Sequence, residues 1–254
     1  MRKAVLRTIF WVVVSLGVNL LVYLWKGSEA ALQFFTGYLL EKSLSVDNLF
    51  VFYLIFSTFK IPKSQQFRLL VTGLAGAIVL RLLLITAGVL LIAKFQWIFY
   101  ILGAFLLITA GRLLVGKNKI PNFEENLLVK FVKKSAPKLA TPFFMALIAI
   151  EVADIIFALD SIPAIFAITL DPFIVFTSNI CAVLGLRSLY FVLAGAIDRF
   201  RALKTSISII LCLIGLKMLL SGVYEFPLLL TLGMIALILA SGVAYSLFKN
   251  SPQR

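Results

Sequence analysis

The sequence predicts an all-α membrane protein of about eight transmembrane helices, arranged as an inverted repeat of two three-helix units with interrupted helices at the midplane. Three observations lead there. The 254 residues are 62 % hydrophobic with a mean hydropathy of +1.07, whereas a soluble domain is about 45–50 % apolar. Eight apolar stretches approach or exceed the roughly 20 residues that cross a hydrocarbon core of about 30 Å. The basic residues sort unequally between alternate loops, the pattern that orients a multi-pass chain.

The elements follow in order. Thr8–Trp25 comes after Arg2, Lys3 and Arg7; it is too long for a signal-peptide core and no A-x-A site follows, so it reads as an uncleaved first span. Ala30–Phe59 is the second, followed by Leu69–Ala93 and Phe95–Val115. Gly116–Lys138 is the one sizeable loop. It reads equally as a solvated linker and as a short interfacial helix that sets Lys130, Lys133 and Lys134 against lipid head groups. Leu139–Leu170, Pro172–Ile197, Thr205–Val223 and Phe226–Phe248 complete the set. Residues 1–254 therefore form a single multi-pass membrane domain, with a first repeat at 30–115, a cytoplasmic linker at 116–138 and a second repeat at 139–223.

Of 24 basic residues, 18 fall on one side of these spans and three, Lys26, Lys94 and Lys217, on the other. That bias places both termini in the cytoplasm, and the cell (inner) membrane is the expected location. It also explains the net charge of +13 without nucleic acid as a partner; lipid is the partner the composition implies. No histidine is present, which excludes His-based zinc, haem and Ser-His chemistry. Cys181 and Cys212 stand alone in apolar runs and read as packing residues.

The repeat rests on matched residues. Glu41-Lys42-Ser43-Leu44-Ser45-Val46-Asp47-Asn48-Leu49 parallels Asp154-Ile155-Ile156-Phe157-Ala158-Leu159-Asp160-Ser161-Ile162. The next span of each half carries one arginine, Arg81 or Arg187, followed by Ala87-Gly88 or Ala194-Gly195. The third carries Arg112-Leu113-Leu114 or Lys217-Met218-Leu219. An odd number of crossings separates the second span from the fifth, so the halves run in opposite directions, as in secondary transporters that bind substrate near the midplane.

The charges in the membrane suggest the chemistry. Glu41, Asp47, Glu151, Asp154 and Asp160 all lie well inside spans, where each costs at least a few kcal/mol uncompensated. Lys42, Arg81 and Arg187 supply charge balance and leave a net −2, the complement of one divalent ion. Carboxylates with neutral oxygens from Asn48, Ser161 and Asn179, and no imidazole or thiolate cluster, suit Mg²⁺, Ca²⁺ or Mn²⁺. Glu151 and Asp160, nine residues apart, point about 180° apart on an ideal helix. Shared ligation requires a break between them, expected near Pro163, with a matching break at Gly37 and Ser43/Ser45. A lattice of ion pairs that only bolts helices together is the competing reading.

GYLLEKSLSVDNLFVF (37–52), EVADIIFALDSIPAIFAIT (151–169) and DPFIVFTSNICAVLGLRSLYFVLAG (171–195) resemble the TerC/Alx family of bacterial membrane proteins. The resemblance implies an integral-membrane metal-ion transporter, associated with manganese export and tellurite-resistance naming. It carries the family's acidic-motif residues onto Glu41, Asp47, Asn48, Glu151, Asp154, Asp160 and Asn179. The expected function is thus a secondary transporter that exports a divalent ion, Mn²⁺ foremost, by exchange for protons; a membrane scaffold or assembly factor is the alternative. No resident cofactor and no enzymatic activity are expected. The chain has no Walker A pattern, and no protease motif surrounds Asp47 or Asp160 to support an aspartyl hydrolase.

Overall fold

The computed structural model describes residues 2–115, 141–193, 201–224 and 226–249. These form eight helices and no strand among the described residues. They are α1 (Arg2–Lys26), α2 (Ser28–Thr58), α3 (Lys63–Lys94), α4 (Trp97–Leu114), α5 (Pro142–Phe166), α6 (Pro172–Leu193), α7 (Arg201–Leu220) and α8 (Leu228–Lys249). Each predicted span corresponds to one helix. The linker at 116–138, with its expected interfacial helix, lies outside the described residues.

Local chemistry sets the helix ends. Gly27 alone joins α1 to α2, at φ 89°, a left-handed conformation that other residues adopt at a cost. Lys60 takes φ 52° just after α2, the Ile61 N–H bonds the Phe56 carbonyl at 2.9 Å, and Pro62 prevents continuation. Thr141 accepts the Phe144 N–H at 3.3 Å and Pro142 opens α5, a favoured start. Asp171 accepts the N–H groups of Phe173 and Ile174 at the head of α6.

Five helices (α1, α3, α4, α5 and α8) are long and apolar enough to cross a membrane. Among the described residues, Leu20, Leu21, Leu24, Leu83, Leu90, Leu229 and Leu237 are exposed. Outward leucines in such number suit lipid and would be a liability in water. Lipid also removes most of the hydrophobic drive between helices, so small residues at contacts matter more. Ala146, Ala149 and Ala153 line one face of α5 and pack with Leu49, Phe52 and Ile55 of α2 and with Leu69 and Leu70 of α3. A second cluster joins Leu106 and Ala110 of α4 to Ile207, Ile210, Leu211 and Ile214 of α7.

One expectation is corrected. The helices are not interrupted at the midplane: α2 runs unbroken for 31 residues and α5 for 25. Within α2, the Ser43 hydroxyl bonds back to the Leu39 carbonyl at 2.6 Å and Thr36 to the Leu32 carbonyl at 2.7 Å. These hydroxyls find partners inside the helix and need no break. Gly37 instead gives room to a neighbour, since a Cβ there would meet Ser178 Oγ at 2.8 Å. Pro163 falls in the last turn of α5, where its missing N–H disrupts little beyond.

Candidate functional site

A closed polar network sits where α2, α3 and α6 meet. Glu41 and Arg81 are each 1 % exposed and Asn179 is fully buried. Arg81 Nη1 lies 2.8 Å from Glu41 Oε1 and also donates to Asn179 Oδ1. Asn179 Nδ2 donates to Glu41 Oε2 at 3.1 Å. The amide thus accepts from the guanidinium and donates to the carboxylate, the one orientation that satisfies both. Ser45, one turn beyond Glu41, donates its hydroxyl to Oε1 at 3.1 Å. Breaking such a buried pair by removing one partner costs about 3–5 kcal/mol. Arg81 and Glu41 thus form a buried ion pair between α3 and α2.

Glu151 and Asp160 make their described contacts elsewhere. Because α5 is unbroken, it presents Glu151 and Asp160 in different directions. Glu151 packs against α3, where a Cβ on Gly76 would meet its carboxylate at 2.4–2.5 Å. It lines an open cavity of about 420 Å³ with Thr72, Gly76, Leu80 and Leu147. Asp160 accepts a hydrogen bond from Thr109 of α4 at 3.2 Å. Asp154 is buried, as are Asn48 and Ser161; the Ser161 hydroxyl has no hydrogen-bond partner among the described residues. Among those residues no three Asp, Glu, His or Cys side chains gather to hold a metal, so the expected convergence of five acids is not seen there. The side chains of Asp47 and Arg187 lie outside the described residues.

Lys42 reaches from α2 to α6. Its ammonium donates to the Ala182 carbonyl at 3.3 Å, lies over the Tyr38 ring and occupies the space a Cβ on Gly185 would need. It is a contact between α2 and α6. Two polar partners escaped the sequence reading. Ser45 is detectable in retrospect, since i,i+4 spacing puts it on the Glu41 face. Thr109 carries no such signal.

At one end of the bundle Lys26 pairs with Asp171, and the Trp25 and Phe173 rings meet edge to face at 5.3 Å. Burial opposes ionisation of Asp171. The Lys26 hydrogen bond, the backbone N–H groups of Ile174 and Phe173 and the Lys26 charge outweigh it and hold the carboxyl below its usual range.

Comparison with known proteins agrees with the helical membrane character. The family model described as the integral membrane protein TerC family matches residues 26–254. An uncharacterized membrane protein of Myxococcus xanthus is 45 % identical, over 98 % of this chain and 83 % of its own. The Alx protein of Salmonella typhi, whose name proposes a membrane-bound redox modulator, is 43 % identical over 92 % of this chain and 81 % of its own. A Rickettsia bellii membrane protein is 34 % identical over 98 % and 88 %. No solved structure matches.

Proposed function

The chain belongs to the TerC family of integral membrane proteins, and from that premise we propose that it is a secondary transporter exporting a divalent metal ion, Mn²⁺ foremost, from the cytoplasm. The observation that carries this reading is the Glu41–Arg81–Asn179 network. It is a carboxylate with amide and hydroxyl oxygens, buried between three helices of a lipid-facing bundle. Buried charge within a membrane domain is costly and marks ion paths, and this donor chemistry suits a hard cation.

We propose that Glu41, Asn48 and Asn179 form the core of the ion site. Asp47, Glu151, Asp154 and Asp160 complete it as α2 and α5 rearrange on loading. Packing supports the inverted repeat that such a cycle uses. Helix α2 packs on α6 while its proposed counterpart α5 packs on α3, and α4 packs on its counterpart α7. Each contact maps onto another, or onto itself, when the halves are exchanged. Both termini are assigned to the cytoplasm of the inner membrane by the charge bias.

Export against a gradient requires a driving ion. Ligating carboxylates must be ionised, so an arriving divalent ion expels any protons the empty site holds, which supports proton exchange. A dithiol couple does not serve here. Cys181 and Cys212 are the only cysteines, both are free, and they belong to different hydrophobic clusters.

The test is reconstitution of the purified chain into liposomes, with Mn²⁺ flux and internal pH followed together. Metal movement with opposite proton movement is the expected result. Metal flux without proton movement removes the exchange mechanism. No flux without a partner protein favours the assembly-factor reading.

A further inference from the structure

The network at Glu41 has a property that a divalent-ion site does not by itself require. A single nitrogen, Arg81 Nη1, takes one oxygen from Glu41 of α2, at 2.8 Å, and one from Asn179 of α6. The Ser45 hydroxyl braces the same carboxylate oxygen. Carboxylate and amide oxygens from two helices, converging on one positive centre, are the coordination a hard cation uses. Here the chain supplies the positive centre itself. The geometry points to Arg81 as a tethered surrogate cation: its guanidinium holds the position of the transported ion in the empty protein and withdraws for the ion to load.

This rests on the divalent-ion reading and deepens it. A guanidinium and a divalent ion cannot both sit on Glu41 Oε1, because like charges at ligand distance repel strongly in a dry interior. The two cannot share that oxygen, so the guanidinium must move. The described contacts of the guanidinium run through Nη1, and Nε has no hydrogen-bond partner among the described residues. The group is therefore held at its tip, on a long side chain from a third helix. A surrogate of this kind also keeps Glu41 neutralised after the ion leaves. The empty protein can then return across the membrane without carrying a bare buried charge, whose cost would otherwise block the step.

The experiment measures Mn²⁺ binding to the purified full chain in detergent, from the electron paramagnetic resonance signal of free hydrated Mn²⁺. Arg81→Gln is expected to bind Mn²⁺ at least tenfold more tightly than the unaltered chain. The double variant Arg81→Gln with Glu41→Gln is expected to lose that gain. In liposomes Arg81→Gln is expected to move Mn²⁺ at least tenfold more slowly, since the loaded site no longer has a displacing group. Arg81→Lys keeps the charge but not the planar donor group, and is expected to bind severalfold more tightly; it decides the matter if the Gln variant does not fold. Unchanged or weaker Mn²⁺ affinity in the folded variant overturns the surrogate. If the unaltered chain still transports Mn²⁺ in that case, the transporter reading survives alone. Tighter binding in the variants with no flux by the unaltered chain supports the surrogate and removes transport.

Discussion

Gly103 of α4 and Gly215 of α7 meet backbone to backbone: a Cβ on Gly103 would lie 3.1 Å from the Gly215 carbonyl oxygen, and a Cβ on Gly215 would lie 2.9 Å from that of Gly103. The contact is reciprocal and leaves room for hydrogen atoms only. In lipid, where close packing replaces much of the hydrophobic drive, such an approach holds two helices together.

Gly215→Ala is therefore expected to destabilise the bundle by about 1–3 kcal/mol, the usual cost of overpacking, because the obstacle is backbone and cannot rotate away. Gly111→Ala is the control, since nothing lies within 4 Å of a Cβ there. Thermal unfolding of both variants in detergent measures the difference. Equal midpoints would show that α4 and α7 separate at no cost.

The Glu41–Arg81 pair predicts strong coupling. Glu41→Gln and Arg81→Gln each leave a buried charge unpaired and are each expected to cost about 3–5 kcal/mol. The double variant leaves neither and is expected to be more stable than the sum of the single effects implies. A double-mutant cycle on unfolding midpoints reads this coupling, and additive effects would mean that the pair is not formed in the membrane.

Asp171 predicts a pH effect of defined sign. Its carboxyl is held below its usual value in the folded chain, so its contribution is present above about pH 4, the ordinary carboxylate value. It is lost as pH falls through the depressed folded value. The Lys26–Asp171 pair is about one-third exposed, which limits it to roughly 0.2–1 kcal/mol. Unfolding midpoints from pH 6 to pH 3 are expected to fall slightly further in the unaltered chain than in Asp171→Asn.

The same pair fixes which loops share a side. After Cys181 and Cys212 are replaced by Ser, single cysteines at Lys26 and at Asp171 are expected to react with a membrane-impermeant reagent added outside intact cells. A cysteine at Lys63 is expected to react only after lysis. Opposite reactivity of the first two positions would contradict the bundle; reversal of all three would contradict only its assigned orientation.

Asp160 separates ligation from support. If it ligates the ion, Asp160→Asn abolishes Mn²⁺ flux in liposomes. Thr109→Val, which removes only the 3.2 Å hydrogen bond to Asp160, lowers flux a few-fold. Equal loss in both would assign Asp160 to packing with α4.

Membrane character, the order of the helices and most of their ends were determined by the sequence itself. Insertion depends on apolar surface summed along a segment, and Gly27, Pro62, Thr141 and Asp171 act on their own turns, so both are readable in one dimension. Glu41, Arg81 and Asn179 could be named as important for a similar reason: polar groups deep in apolar spans are expensive wherever they point. Their joining into one network was decided by tertiary structure alone. It depends on the rotation of α2, α3 and α6 about their axes, which close packing at positions such as Gly37 against Ser178 sets. The divergence of Glu151 toward Gly76 and Asp160 toward Thr109 was decided in the same way. Sequence spacing put these two acids on opposite faces of a straight helix, but only the fold shows α5 unbroken, because a proline in a last turn cannot be told from a helix break until the end of the helix is in place.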